Sequence, residues 1–416
     1  MIQRRSFLTG TAAFGAAASV PWTKVMAAAA EALAPVPLPP PIGQAERLQR
    51  LAKARALMQK NGIGAVVIEP GSSLDYFTGV QWHRSERLTA AVIPAEGDPI
   101  IVTPFFESPS VRETLAIPAE IRTWNEDEEP LKFVAGFLRE RGIAGQPVGF
   151  EETDRYFIFD RLRQQIPALK AVSANPAVRD LRMIKSPAEL ALMQTANDIT
   201  LRAMRHAGEG ARAGMTPADY GAAIDAATTA MGGNPEFSLV LIDEAAALPH
   251  GSKKPQITRR GSTVLFDCGC TVHGYQSDIS RTFVFGAPPT AEQRKVWNQV
   301  HEGQQIAIRA AKLGVPVGTI DDAVRAAYES WGYGPGYKLP GLSHRTGHGI
   351  GMDGHEPAYL VHGDTTPLAA GMCFSDEPGI YIPGKFGVRL EDCWHMTEAG
   401  PKFFSEPPAS IDRPFG

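Results

Sequence analysis

One order of elements is written twice in the second half of the chain. Ser186-Pro187-Ala188-Glu189 is a capping box with proline at the first helical position, and it predicts a helix running to about Gly208. Thr216-Pro217-Ala218-Asp219 starts a second helix, and strand-like stretches follow at residues 237–242, 263–267 and 279–285. Then the order returns. Thr290-Ala291-Glu292-Gln293 caps a long helix to about Leu313, Thr319-Ile320-Asp321-Asp322 caps a shorter one, and strands follow at 372–377 and 388–395. Helix, helix, strands, twice over, predicts two related halves whose sheets share one core, with a domain boundary near Ile184.

Residues 44–183 alternate between the two patterns instead. Residues 45–61 have helical spacing, with Leu48, Leu51, Leu57 and Met58 apolar. Residues 65–68, 89–93 and 100–103 are short β-branched runs bounded by Pro and Gly, and 131–141, 148–151 and 155–165 read as helix, strand and helix. A smaller mixed α/β domain is expected here, with the acidic run 125–129 as a solvated loop. Ahead of it, residues 33–42 read as a stiff proline-rich tether within a linker spanning 31–43. Residues 1–30 carry Arg4-Arg5 before a Gly/Ala-rich stretch and small residues at Ala27 to Ala30. That is the pattern of a twin-arginine export signal and predicts a periplasmic or secreted protein.

Composition narrows the partners. Lys plus Arg is 41 and Asp plus Glu is 45, so no basic surplus exists for nucleic acid or an anionic membrane. Beyond the export signal no apolar run is long enough to span a bilayer. Cys268, Cys270, Cys373 and Cys393 are too few for a disulfide scaffold. They are expected as small buried core residues, with thiolate ligation or a Cys373–Cys393 disulfide as the alternatives.

The chemistry concentrates in three segments. Asp267 and Asp278 are equidistant from a point between Val272 and His273, inside a Gly-containing turn. In a hairpin such residues face each other about 5 Å apart, and two carboxylates that close repel unless a cation lies between them. Glu377 and Glu391 repeat the arrangement around Gly384. Between them stands a glycine-rich histidine cluster, His344, His348 and His355, with Gly347, Gly349, Gly351 and Gly354. Four carboxylates and an imidazole suit two hard or borderline divalent cations, Mn²⁺ first, with Co²⁺, Fe²⁺ or Zn²⁺ also compatible.

The segments Gly347-His348-Gly349-Ile350-Gly351, Glu377-Pro378-Gly379-Ile380-Tyr381 and those around Asp267 and Asp278 resemble the pita-bread metallopeptidases. That family includes aminopeptidase P, prolidase, methionine aminopeptidase and creatinase. The resemblance covers Ser186 to about Gly400, and the preceding region looks like a creatinase-type N-terminal domain. It implies an α+β fold and a dinuclear site with Asp267, Asp278, His348, Glu377 and Glu391 as ligands, Asp278 and Glu391 bridging. It also implies a hydroxide between the ions as nucleophile, with Glu377 moving its proton to the leaving amine. His250 and His355 match histidines that contact substrate, His344 a supporting one, and Arg389 a residue that orients Glu391.

The implied reaction is hydrolysis of the bond before proline in a dipeptide or longer peptide, by a homodimer. Trp82-His83-Arg84 is a candidate loop for a partner's site, and an ordinary exposed turn is the alternative. Prolidase-like relatives often carry an arginine four residues after the equivalent of His355, and Tyr359 stands there, which leaves room for an aminopeptidase. The rival readings are a hydrolase or lyase acting on a small zwitterion, and a catalytically silent peptide-binding module.

Overall fold

A sheet buried on both faces builds the first part of the computed structural model, which describes residues 33–416. The export signal expected over residues 1–30 lies outside the described residues. Residues 33–42 are not a free tether. Val36 N–H donates to Met231 O at 3.0 Å, and Leu33, Val36 and Ile42 join an apolar cluster of the second part.

The first part opens with α1 (Gln44–Lys60) and β1 (Ala65–Ile68). Then come α2 (Ser72–Thr78), β2 (Ala90–Pro94), β3 (Ile100–Pro104), α3 (Ser108–Thr114), β4 (Glu120–Trp124) and α4 (Leu131–Glu140). It closes with β5 (Pro147–Phe150), α5 (Tyr156–Gln165), β6 (Lys170–Ser173) and α6 (Arg179–Met183). The six strands form one mixed sheet in the order β4-β3-β2-β1-β5-β6. Strand β1 shows why it is stable: Val66 and Ile68 enter one apolar cluster, Ala65 and Val67 the other, so helices cover both faces. The pattern did not reveal α2, α3, α6, β4 or β6. The three helices are five to seven residues long, too short to show a period, and β6 is exposed at every position.

The second part repeats helix, helix, strands as expected. Helices α7 (Pro187–Glu209) and α8 (Pro217–Ala230) precede β7 (Asn234–Ile242), β8 (Thr263–Val272), β9 (Tyr275–Gln276) and β10 (Ile279–Val284). Helices α9 (Ala291–Ala310) and α10 (Gly318–Ser330) precede β11 (Gly347–Gly349), β12 (Glu356–Leu360), β13 (Cys373–Asp376), β14 (Gly379–Ile382), β15 (Phe386–Arg389), β16 (Asp392–Thr397) and β17 (Gly400–Phe403). Ser186, Thr216 and Thr290 all form capping boxes. Thr319 does not. Helix α10 begins at Gly318, which leaves Thr319 inside the first turn with its Oγ1 donating to Pro316 O, and Asp321 is fully buried.

The apolar core of the second part falls into two clusters. One packs α7 and α8 on the β10-β8-β7 sheet and takes in Ile350, Cys373 and Cys393 from the second half, so the sheets share it in part; the other lies between α9, α10 and the β12-β11-β13-β16-β17 sheet. The sheets meet along a polar seam, where Ser280 and Glu391 exchange backbone hydrogen bonds of 3.3 and 3.0 Å. All four cysteines are free and buried, and burial pushes each thiol up, which suits the core role.

Candidate metal centre

Two hairpins and one glycine-rich strand carry the expected residues to the seam. In the first hairpin the two-residue turn is His273-Gly274, both with positive φ, 48° and 83°. That is type I′ geometry, whose twist matches the strands it joins. The turn is centred one residue later than expected, so Asp267 faces Ser280, and the same register puts Asp278 opposite Gly269. A displacement of two residues keeps side chains on the same face, so Asp267 and Asp278 still converge diagonally. Gly269 makes room, since a Cβ there would lie 2.3 Å from Ser277 O.

The second hairpin follows the expected register. Asp376 faces Asp392 and Gly379 faces Arg389, so Glu377 and Glu391 stand opposite each other around Gly384. His348 arrives on β11, next to β13. Its backbone N–H donates to Ser375 Oγ at 3.0 Å. Behind it, the fully buried Asp321 accepts from Thr346 N–H, Thr346 Oγ1 (2.7 Å), Arg325 Nε (2.7 Å) and His362 N–H. A carboxylate inside the segment read as a helix start thus anchors the segment that presents His348. Sequence spacing gave no sign of this, because the partners come from three separate stretches.

The side chains converge in three overlapping groups whose candidate ligand atoms lie within 4.8 Å of one another. One holds Asp267, Asp278 and Glu391, another His348, Glu377 and Glu391, and a third Asp278, His348 and His355. His348 Nδ1 lies 3.1 Å from Gly349 O and donates to it, which leaves the Nε2 lone pair facing Glu377 at 3.4 Å and Asp278 at 3.7 Å. Asp278 Oδ1 is buried with no hydrogen-bond partner. Electron-rich atoms turned toward each other, one of them buried without a partner, are the arrangement a cation resolves, so the donor set fits a hard divalent metal.

Charge follows the same geometry. Burial pushes Glu377 up to about 8, with Arg389 opposing and the Asp267 charge adding. Burial, then neighbouring carboxylates, raises Asp278 and Glu391 well above the usual range. Burial holds His348 down to about 3, and the neighbouring His355 adds to the effect. His344 is also held to about 3 by burial and the Arg389 charge. Its Nδ1 donates to Arg345 O at 2.7 Å and its Nε2 accepts from Tyr381 Oη at 2.6 Å.

Arg389 bonds Asp267 directly, Ser280 Oγ at 2.9 Å and Tyr381 Oη at 3.2 Å. It reaches Glu391 through Ser280, whose Oγ donates to Glu391 Oε2 at 2.7 Å; its own Nε stands 3.9 Å away. The expected orientation of Glu391 by Arg389 is therefore indirect. Tyr381 and Ser280 are the residues that pattern reading missed, since one hydroxyl in a strand carries no signal.

A cavity of about 470 Å³ opens over these groups, and His250, His344, Arg345 and His355 line it. His355 is exposed and stacks on His348 with ring centres 3.8 Å apart, and His250 is exposed at the rim. Arg84 of the candidate partner loop, read alternatively as an exposed turn, folds back onto its own domain and pairs with Glu69 at 3.2 Å.

Residues 191–398 match the model of Metallopeptidase family M24, and residues 50–184 match that of the Creatinase/Prolidase N-terminal domain. The chain is similar to an Xaa-Pro dipeptidase of Lactobacillus helveticus, 32% identical over 367 residues that cover 85% of this chain and 96% of the relative. Among solved structures it is similar to dipeptidase PepE from Mycobacterium ulcerans, with a TM-score of 0.81, 32% identity, and coverage of 89% of this chain and 98% of that one. The X-Pro aminopeptidase from Thermotoga maritima MSB8 gives a TM-score of 0.76 at 26% identity, over 87% of this chain and 98% of that one.

Proposed function

The chain belongs to metallopeptidase family M24, and on that premise we propose that it hydrolyses the peptide bond before proline with two divalent cations, Mn²⁺ first among them. The observation that carries the reading is the overlap of ligand groups: Glu391 belongs to two of them, and so does Asp278, once beside His348. That overlap supports Asp278 and Glu391 as shared ligands, Asp267 for one cation, and His348 with Glu377 for the other. Relatives of both dipeptidase and aminopeptidase type support the Xaa-Pro specificity. Bound cations supply Lewis-acid polarisation of the scissile carbonyl and lower the pKa of water.

The chain's own residues do the rest. Glu377 accepts the proton from the attacking water at its carboxylate and delivers it to the leaving nitrogen. His355, exposed on the cavity side of His348, meets the carbonyl oxygen as it gains charge, and His250 meets the substrate at the rim. His344, neutral and held at both nitrogens, keeps Tyr381 on Arg389 and so keeps Asp267 in place. We further propose export through Arg4-Arg5 and assembly as a homodimer.

The test is a Mn²⁺-loaded assay with Ala-Pro, Ala-Pro-Ala and Ala-Ala, beside metal analysis. The expected result is alanine release from the proline substrates alone, with two metals per chain. Turnover confined to small amidino or sulfonio compounds sinks the reading. Replacing Arg4 and Arg5 by Lys should retain the uncleaved precursor in the cytoplasm, as fractionation will report.

A further inference from the structure

Two arginines line the cavity, and their surroundings differ. Arg389 is committed to Asp267, Ser280 and Tyr381. The Arg345 guanidinium has no carboxylate and no hydrogen-bond acceptor among the described residues. Instead it lies 4.2 Å from the centre of the Tyr359 ring, half-buried. A cation on an aromatic face is held in place without being neutralised, and the planar fork stays available for a carboxylate. Tyr359 pairs in register with His348 across β11 and β12, so platform and cation both sit beside the candidate metal centre. Arg345 lines the same cavity as His348, His355 and Glu377, so its charge stands beside the groups that would meet the scissile bond.

We infer that Arg345, seated on Tyr359, receives the free C-terminal carboxylate of the substrate and thereby makes the site select Xaa-Pro dipeptides. This rests on the Xaa-Pro peptidase reading. In a dipeptide the carboxylate sits one carbon beyond the scissile nitrogen, within about 3.8 Å of backbone reach, so a cation beside His348 and His355 meets it. In a longer peptide a neutral amide occupies that place and the guanidinium stays unpaired. A site built for a charged partner rejects the analogue lacking it. The tyrosine four residues after His355 therefore does not argue for an aminopeptidase. The cation comes from the neighbouring segment, and Tyr359 is its platform.

The experiment measures kcat and KM on Ala-Pro, Ala-Pro-amide and Ala-Pro-Ala with Mn²⁺-loaded wild type, Arg345→Gln, Arg345→Lys and Tyr359→Ala. Wild type should favour Ala-Pro over its amide by about 10- to 100-fold, chiefly through KM. The ratio should collapse toward one in Arg345→Gln, recover partly in Arg345→Lys, and fall in Tyr359→Ala. As a check independent of variant folding, proline should raise the Tm of the wild-type holoenzyme more than prolinamide does. A wild-type ratio near one, an unchanged ratio in Arg345→Gln, or equal protection by proline and prolinamide overturns the inference. Turnover of no Xaa-Pro substrate removes the peptidase reading and takes this inference with it.

Discussion

The two hairpins that supply the carboxylates solve one problem by different means. In the β14–β15 hairpin, Glu377 and Glu391 oppose each other directly, and one register runs from Cys373 facing His395 to Ile382 facing Phe386. In the β8–β10 hairpin, Asp267 and Asp278 are offset by two residues, and Asp278 stands where the ladder is interrupted. The contrast teaches that convergence needs the same face, not the same rung. An even slip leaves every side chain on its side of the sheet, whereas an odd one would turn Asp278 away from the seam. It also assigns different work to glycine. Gly269 is there for space, Gly384 for its φ of 74°, with nothing within 4 Å of an added Cβ.

The sharpest way to break the comparison is to remove one carboxylate from each hairpin in turn. Asp278→Ala and Glu391→Ala should cost about 10³-fold or more in turnover, about 4 kcal/mol of barrier, and strip both metals. Asp267→Ala should lose activity comparably yet keep about one metal per chain by elemental analysis. Equal metal loss in all three variants would show that the sharing of ligands is illusory.

A smaller effect separates the glycines. Gly269→Ala pushes backbone against backbone, and about 1–3 kcal/mol of lost stability, with weakened metal binding, is expected in a urea titration. Gly384→Ala meets no atoms and carries only the left-handed backbone cost of about 1–2 kcal/mol, with metal affinity kept. Metal loss in Gly384→Ala would contradict the division.

The pH dependence of the metal-free protein tests both hairpins together. Burial raises Glu377 to about 8 and raises Asp278 and Glu391 as well, so the folded state holds protons the unfolded chain has released. Their stabilisation is complete below the ordinary carboxyl range and is lost as pH rises through about 8. His348 and His344, lowered to about 3 from 6.5, act in the opposite sense, but only below 6.5. Between pH 6.5 and 8 these carboxyls and Asp154, which burial pushes up to about 7, hold protons the unfolded chain has lost, so the Tm of the metal-free protein should fall across that window. Saturating Mn²⁺ should remove the site's share of the fall, because cations take the deprotonated form. A flat metal-free profile would show that the carboxylates are not close enough to matter.

Much of this site was legible in the chain itself. Capping boxes at Ser186, Thr216 and Thr290 are local chemistry, read within four residues, and all three form. The repeat of helix, helix and strands, and the mirror placement of Glu377 and Glu391 around Gly384, are also local. What pattern reading missed is non-local. Thr319 looked like a cap and instead donates to Pro316 O, while Asp321 two residues on became the anchor of Thr346. The first hairpin's offset depended on which two residues adopt positive φ, and His273 does so where a glycine was the natural guess.

By itself the sequence determined which residues carry oxygen and nitrogen donors, on which strands, and on which face, because side-chain alternation has a period of two and helix starts are set by neighbours. Only the tertiary structure decided that the two sheets meet along a polar seam through Ser280 and Glu391, that Arg389 grips Asp267, and that Arg345 rests on Tyr359. Those contacts join residues tens to more than a hundred positions apart or depend on side-chain orientation, and the packing that settles them leaves no trace in local spacing.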